Sequence, residues 1–349
     1  MPNQTSSAST SATLQQQRHA RARSFAWRLS VLAVIIVVLW ATSLMVGETF
    51  YGPGKVIRVV FGETVPGASF TVGDLRLPRA TVAVAAGIAF GIAGVTFQTM
   101  LRNQLASPDI IGISSGASAA GITAIVFYNV SQTTVSLVSL VCSLTIAALI
   151  YLLSLKSGFT GTRLILIGIG MSAILQAWTN FVLSKAPSYD LPTATRWITG
   201  SLNTMSWERG LPLLLTVLVI APVMIFLGHQ LNVLRLGDDL AVGLGLRLNV
   251  VRVSAIVGAV ILIAVATAST GPIAFVAFMA GPIATRLFKA GPSMIAPAGA
   301  VGAILVLVAD MAGQYFFGTR YPVGVITGVL GAPFLIYLLK RPGFSSYLS

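Results

Sequence analysis

The sequence predicts an all-α integral membrane protein of about ten transmembrane helices, and three observations predict it. Of the 349 residues, 55% are hydrophobic and only 9% are charged, with a mean hydropathy of +0.88. A soluble domain carries about a quarter charged residues, because its surface must stay hydrated. The apolar residues also run in charge-free stretches of the length a bilayer demands, about 20 residues at a rise of 1.5 Å each. The few charges collect between those stretches.

The first charge-free stretch covers 29–46 and the second 80–101. Residues 110–155 are too many for one helix and break at the polar turn Tyr128-Asn129-Val130-Ser131-Gln132-Thr133, giving spans three and four. Span five covers 164–184 and span six 211–228. Residues 253–285 again exceed one crossing. Gly271-Pro272 divides them into a full span seven and a short span eight, because proline lacks a backbone donor and glycine adds freedom. Spans nine and ten cover 290–309 and 321–339.

An even number of spans puts both termini on one side, and lysine and arginine mark that side as cytoplasmic. Its segments hold Arg18, Arg21, Arg23, Arg28, Arg102, Lys156, Arg163, Arg235, Arg247, Arg252, Arg286, Lys289, Lys340 and Arg341, against Asp109, Asp238 and Asp239 alone. On the other side Lys55, Arg58, Arg76, Arg79, Lys185, Arg196, Arg209 and Arg320 are offset by Glu48, Glu63, Asp74, Asp190, Glu208 and Asp310. Residues 1–26 are polar and then basic, which predicts a disordered cytoplasmic tail. The ten-helix membrane domain follows over 27–341, and 342–349 form a short cytoplasmic tail.

The net charge of +13 is dispersed over loops without interleaved aromatics, which argues against nucleic-acid binding. The lone Cys142 excludes an internal disulfide, and His19 and His229 stand apart, so no metal-ligand cluster is visible. No nucleophile has a nearby base, so the chain reads as a non-enzyme. Ion-coupled carriers need ionisable groups near the bilayer midplane. Here the spans are almost bare of them, Asp310 lying only near the outer end of span nine. No GxxxxGK[S/T] sequence is present to cradle nucleotide phosphates. Energy for transport is therefore expected from another chain.

The cytoplasmic segment 230–252 offers that coupling. Asp238 and Asp239 suit the first turn of a short helix, which Gly243 or Gly245 would end. Gly237, Ala241 and Gly245 recur every four residues and predict one smooth face for close docking on another protein. By itself the segment reads more readily as an ordinary amphipathic loop helix than as a docking face.

Seven motifs in order then settle on one family. The loop resembles the L-G-x-x-x-A-x-x-L-G segment of the FecCD/BtuC-type ABC importers, the iron-siderophore and vitamin B12 permeases. Arg76-Leu77-Pro78-Arg79 resembles R-L-P-R, and Gln98 to Pro108 resembles Q-x-x-x-R-N-P-L-A-x-P. Ile111-Gly112-Ile113-Ser114-Ser115-Gly116-Ala117 resembles L-G-x-x-x-G-A, and Trp197-Ile198-Thr199-Gly200-Ser201-Leu202 resembles W-x-x-G-S-L. Gly271-Pro272-Ile273-Ala274-Phe275-Val276 and Pro322-Val323-Gly324, running on to Gly331-Ala332-Pro333, complete the series.

The resemblance implies a BtuC-like type II importer permease in a bacterial cytoplasmic membrane. It implies a second permease subunit, two ATPase subunits that use ATP and Mg, and an extracytoplasmic substrate-binding protein. No cofactor is expected on this chain itself. A ferric siderophore is the expected cargo, with cobalamin or haem as alternatives; a stand-alone ion-coupled secondary transporter is the rival of another class. Coupling to the ATPase would fall to Arg235, Gly237, Asp238, Asp239, Ala241, Gly243 and Gly245. Docking of the binding protein would fall to Arg76 and Arg79.

Two departures from the family pattern stand out. Where the family has D-x-x-A-R, this chain reads Asp310-Met311-Ala312-Gly313-Gln314, and Arg320 stands where an acidic residue is usual. The docking cation is therefore expected at Arg320. In span eight P-H-x-x-R is replaced by Gly281-Pro282-Ile283-Ala284-Thr285 and then Arg286, which favours a heterodimer over a homodimer. Ser172, Gln176 and Asn180, with Gly168, form a small and polar stripe on span five. This stripe and Gln98 are candidates for the translocation path or for helix packing. Gly87, Gly91 and Gly94 are assigned to packing.

Overall fold

The computed structural model describes residues 4–108, 112–155, 161–288 and 293–340. Asp109, Ile111, Lys156, Lys289, Arg341 and the tail 342–349 lie outside the described residues. Among the described residues the chain is helical without strands. Each expected span has a counterpart: α1 (Gln4–Met45), α3 (Leu77–Met100), α4 (Ile113–Tyr128), α5 (Gln132–Ser154), α6 (Gly161–Lys185), α8 (Trp207–Leu234), α10 (Leu248–Thr270), α11 (Val276–Phe288), α12 (Ile295–Tyr315) and α13 (Val323–Leu339). Seven of these reach full crossing length, while α4, α11 and α13 are shorter apolar helices.

The differences lie at the ends. Helix α1 runs from Gln4 to Met45 and so includes most of the polar and basic segment that precedes span one. Extending a helix already nucleated by a membrane span fixes one residue per new hydrogen bond, so the polar segment can follow it. Four short elements were not marked by hydropathy: α2 (Pro53–Val60), a π-helix over Ser69–Arg76, α7 (Leu191–Thr199) and α9 (Asp238–Gly243). Only the last was legible from its acidic start.

Helix α3 is the centre of the fold, buried around nearly its whole circumference. Its glycines explain why two backbones can reach it. A Cβ on Gly87 would stand 2.4 Å from the Gly302 carbonyl oxygen of α12, and one on Gly94 would stand 1.9 Å from that of Ala277 on α11. Lipid offers apolar helices no hydrophobic reason to associate, so close backbone packing of this kind carries the association. By contrast α1, α5, α6 and α8 bury only a minority of their apolar windows. They form the periphery.

Three separate motifs meet beside this core. The Ser201 amide donates to the Thr270 carbonyl (2.7 Å), and the Gly324 amide donates to the Gly200 carbonyl (3.1 Å). The ends of α7 and α10 and the start of α13 are thereby joined through main chain alone.

Candidate functional site

Helix α9 sits at the end of the bundle where α3 and α8 finish and α10 begins. Gly237 precedes it with φ +114°, a conformation open to glycine because it lacks a Cβ. The helix stops in a Schellman motif: the Leu246 amide donates to the Ala241 carbonyl, and the amide of Gly245 (φ +83°) to that of Val242. Gly245 is therefore a stop signal. Of the expected smooth face of Gly237, Ala241 and Gly245, Ala241 alone turns inward, fully buried against the protein's own helices, while Gly245 is exposed and Gly237 partly so. The outward side carries Leu236, Leu240, Val242 and Leu244, all exposed, with Gly243, Arg235 and Asp239 also at the surface.

Asp238 joins this helix to three others. Its Oδ1 accepts from Arg102 Nη2 and its Oδ2 from Arg252 Nη2, both at 2.7 Å. The same Arg102 Nη2 also donates to the Leu234 carbonyl at the end of α8 (3.0 Å). Arg102 follows α3 and Arg252 lies in the first turns of α10, so one carboxylate ties α9 to the ends of α3, α8 and α10. The hydrogen bond from Arg252 is the main cause that holds the Asp238 carboxyl below its usual range, with the charges of Arg252 and Arg102 adding to it against a smaller opposing effect of burial. Neither arginine was among the coupling residues expected from sequence. The available signal was their placement at span ends on the same side as Asp238.

The opposite end of the bundle holds the arginines expected to dock a partner, and the structure gives two of them internal work. Arg79 meets Asp310 in a bidentate pair, Nε to Oδ2 at 2.9 Å and Nη2 to Oδ1 at 2.8 Å, with the side chains only 16% and 3% exposed. Gln314 Nε2 completes the carboxylate at 2.8 Å. Gln314, at the position where the resemblance implies an arginine, thus serves Asp310, one turn back. Arg76 donates to the carbonyls of Leu44, Met45 and Thr49, satisfying the end of α1, and its guanidinium lies over the Tyr51 ring. Arg320 is different: it is exposed and pairs with the exposed Glu48.

The path candidates divide in the same way. Gln98 is buried, and its Nε2 donates to the Phe278 carbonyl (3.0 Å). That carbonyl lies one turn before Pro282, which has no N–H to offer it. Gln98 therefore supplies the donor that this carbonyl lacks within its own helix. Ser172 faces Gly112 at the start of α4, whereas Gln176 and Asn180 are exposed and bond to each other (3.3 Å). Arg286, the shifted arginine of span eight, stacks over Phe334 and Tyr337 of α13.

Comparison with known proteins gives a consistent result. The model of the FecCD transport family matches residues 35–341. The achromobactin transport system permease protein CbrC of Dickeya dadantii is 37% identical over 318 residues, spanning 90% of this chain and 91% of its own. The ferric enterobactin transport system permease protein FepG of Escherichia coli is 34% identical, with coverage of 89% and 94%. Among solved structures, a metal-chelate type ABC transporter in an inward-facing conformation superposes with a TM-score of 0.79 at 25% identity, covering 89% of this chain and 98% of that one.

Proposed function

Because this chain belongs to the FecCD transport family, we propose that it forms the membrane path of an ATP-driven importer for a ferric siderophore. The observation that carries the coupling part of this reading is the contrast on α9: an exposed apolar outer side and a carboxylate that holds three membrane helices behind it. Leu236, Leu240, Val242 and Leu244 are the contact surface for a cytoplasmic ATPase subunit, and Asp238 passes its displacement to α3, α8 and α10. Arg235 and Asp239 form the polar rim, while Gly237, Gly243 and Gly245 shape the turn.

Both termini lie in the cytoplasm in this reading, as the loop charges favour. A substrate-binding protein approaches the opposite end, where the exposed Arg320–Glu48 pair is its docking contact in place of the occupied Arg76 and Arg79. The exposed Gln176 and Asn180 on α6 face a second permease subunit and the passage between the two, because amides turned to lipid would be costly. Cargo arrives already chelated, so the spans need no metal ligands of their own.

Reconstitution with the ATPase and binding protein in proteoliposomes tests the proposal. ATP-dependent uptake of ferric siderophore, exceeding that of cobalamin and haem, is the expected result. Uptake that persists without the ATPase and follows an ion gradient would instead place the chain among secondary transporters.

A further inference from the structure

At the end of the bundle opposite α9, a cavity of about 230 Å³ opens between the start of α5, α7, the loop after α7 and the start of α8. Gln132, Arg196, Trp197, Asn203, Arg209 and Thr270 contribute to its wall. Arg209 lies at its inner side. Nη2 donates to the Ser269 carbonyl (3.1 Å), while Nε is buried without any hydrogen-bond partner. Among the described residues neither Arg209 nor Arg196 forms an ion pair with a carboxylate.

This arrangement leaves positive charge uncompensated in three ways. A guanidinium partly withdrawn from water is stabilised by a counter-charge or further acceptors, and the partly buried Arg209 has one protein carbonyl. It sits in the first turn of α8, where the helix dipole already presents its positive end. Arg196 adds a second cation at the rim. The neighbouring Glu208 does not answer this charge, since its carboxylate accepts from Thr133 instead (3.3 Å).

We propose that this cavity is a binding site for the carboxylate of a small organic acid, or for one carboxylate arm of a larger chelate, with the partly buried Arg209 as its anchor and Arg196 at its rim. The volume lies below the roughly 300–1,000 Å³ of sites that enclose a whole drug-sized ligand, so a single arm enters and the remainder stays outside. The planar fork of arginine matches a carboxylate better than a point charge would. The inference deepens the transport reading by giving the outer surface a preference for acidic cargo. Its test reads binding alone, without ATP or flux, so its failure leaves that reading standing.

Citrate is the probe, titrated onto the transporter with its ATPase in nanodiscs of zwitterionic lipid, free of binding protein. Saturable binding is expected. Arg209→Gln should weaken it about tenfold or more, the loss of one charge-assisted hydrogen bond, and Arg196→Gln by a smaller factor. Arg209→Lys keeps the charge without the fork and should give an intermediate affinity. Citrate should also raise the thermal midpoint of the native protein and not that of Arg209→Gln, which separates lost binding from lost folding. Absence of saturable binding, or equal affinity in native protein and both glutamine variants, overturns the proposal.

Discussion

Each end of the bundle is closed by an aspartate held by arginine, and the two clusters differ in the one property that decides what such a pair can do. Asp310 is buried with Arg79 and Gln314, between α12 and α3. Asp238 is about half exposed, and it divides its two oxygens between Arg102 and Arg252. A buried bidentate pair has no water to replace a lost partner, so it fixes two helices in one relation. An exposed pair exchanges readily with solvent and contributes little to stability. On the proposed coupling reading, the end that would receive a moving partner is held by the adjustable cluster, and the far end by the rigid one.

The sharpest way to break this comparison is to remove one partner at the rigid end. Arg79→Leu leaves a buried carboxylate unpaired and should lower stability by about 3–5 kcal/mol, read as a large fall in the unfolding midpoint in detergent. Replacing Asp310 by leucine as well should recover much of that loss. If the single variant melts like the native protein, the rigid end is not rigid for this reason. Gln98→Ala comes next. It orphans the Phe278 carbonyl before Pro282 and should cost about 1–3 kcal/mol while leaving the choice of cargo unchanged. A changed cargo preference in reconstituted uptake, with native stability, would return Gln98 to the passage.

These two positions also show where sequence reading stopped. The spans were legible because bilayer thickness imposes a length on apolar runs, and α9 because Asp238 and Asp239 suit a helix start. The packing of Gly87 and Gly94 was legible because spacing by turns marks a helix face. Direction was not. Ala241 looked suited to an outer surface and faces inward, since small residues serve close approach on either side of a helix. Likewise nothing local distinguishes an arginine that reaches toward a partner from one, like Arg76, that folds back onto carbonyls. Pairings such as Arg79 with Asp310 link residues more than two hundred positions apart, and only the assembled bundle brings them together.

At the adjustable end the same kind of substitution should act on coupling rather than on folding. Asp238→Asn keeps the side-chain shape but removes the charge that both arginines share. Its stability cost should stay within about 1 kcal/mol, as for other exposed pairs. Uptake per ATP hydrolysed should nevertheless fall, by up to about fivefold if that energy is lost from the conformational step alone. The measurement is paired uptake and ATPase rates in one proteoliposome preparation. An unchanged ratio would mean that the carboxylate does not transmit the displacement of α9.

The smallest effect is expected from pH, and its sign follows from the arginines. Their hydrogen bonds and charges lower the Asp238 pKa in the folded protein below the usual 3.8. The stabilisation is therefore fully present above the unfolded value and is lost only as pH falls through the lowered folded one. Between pH 5 and 8 the cluster keeps its charge, so the ratio of uptake to ATP hydrolysis should not change through Asp238, and Asp238→Asn should show the same flat profile at a lower level. A native ratio that drops between pH 7 and 5, together with a flat variant, would mean that the carboxyl takes up a proton in that range. The two arginines could not then be holding it in the resting state, and the contrast between the two ends would rest on burial alone.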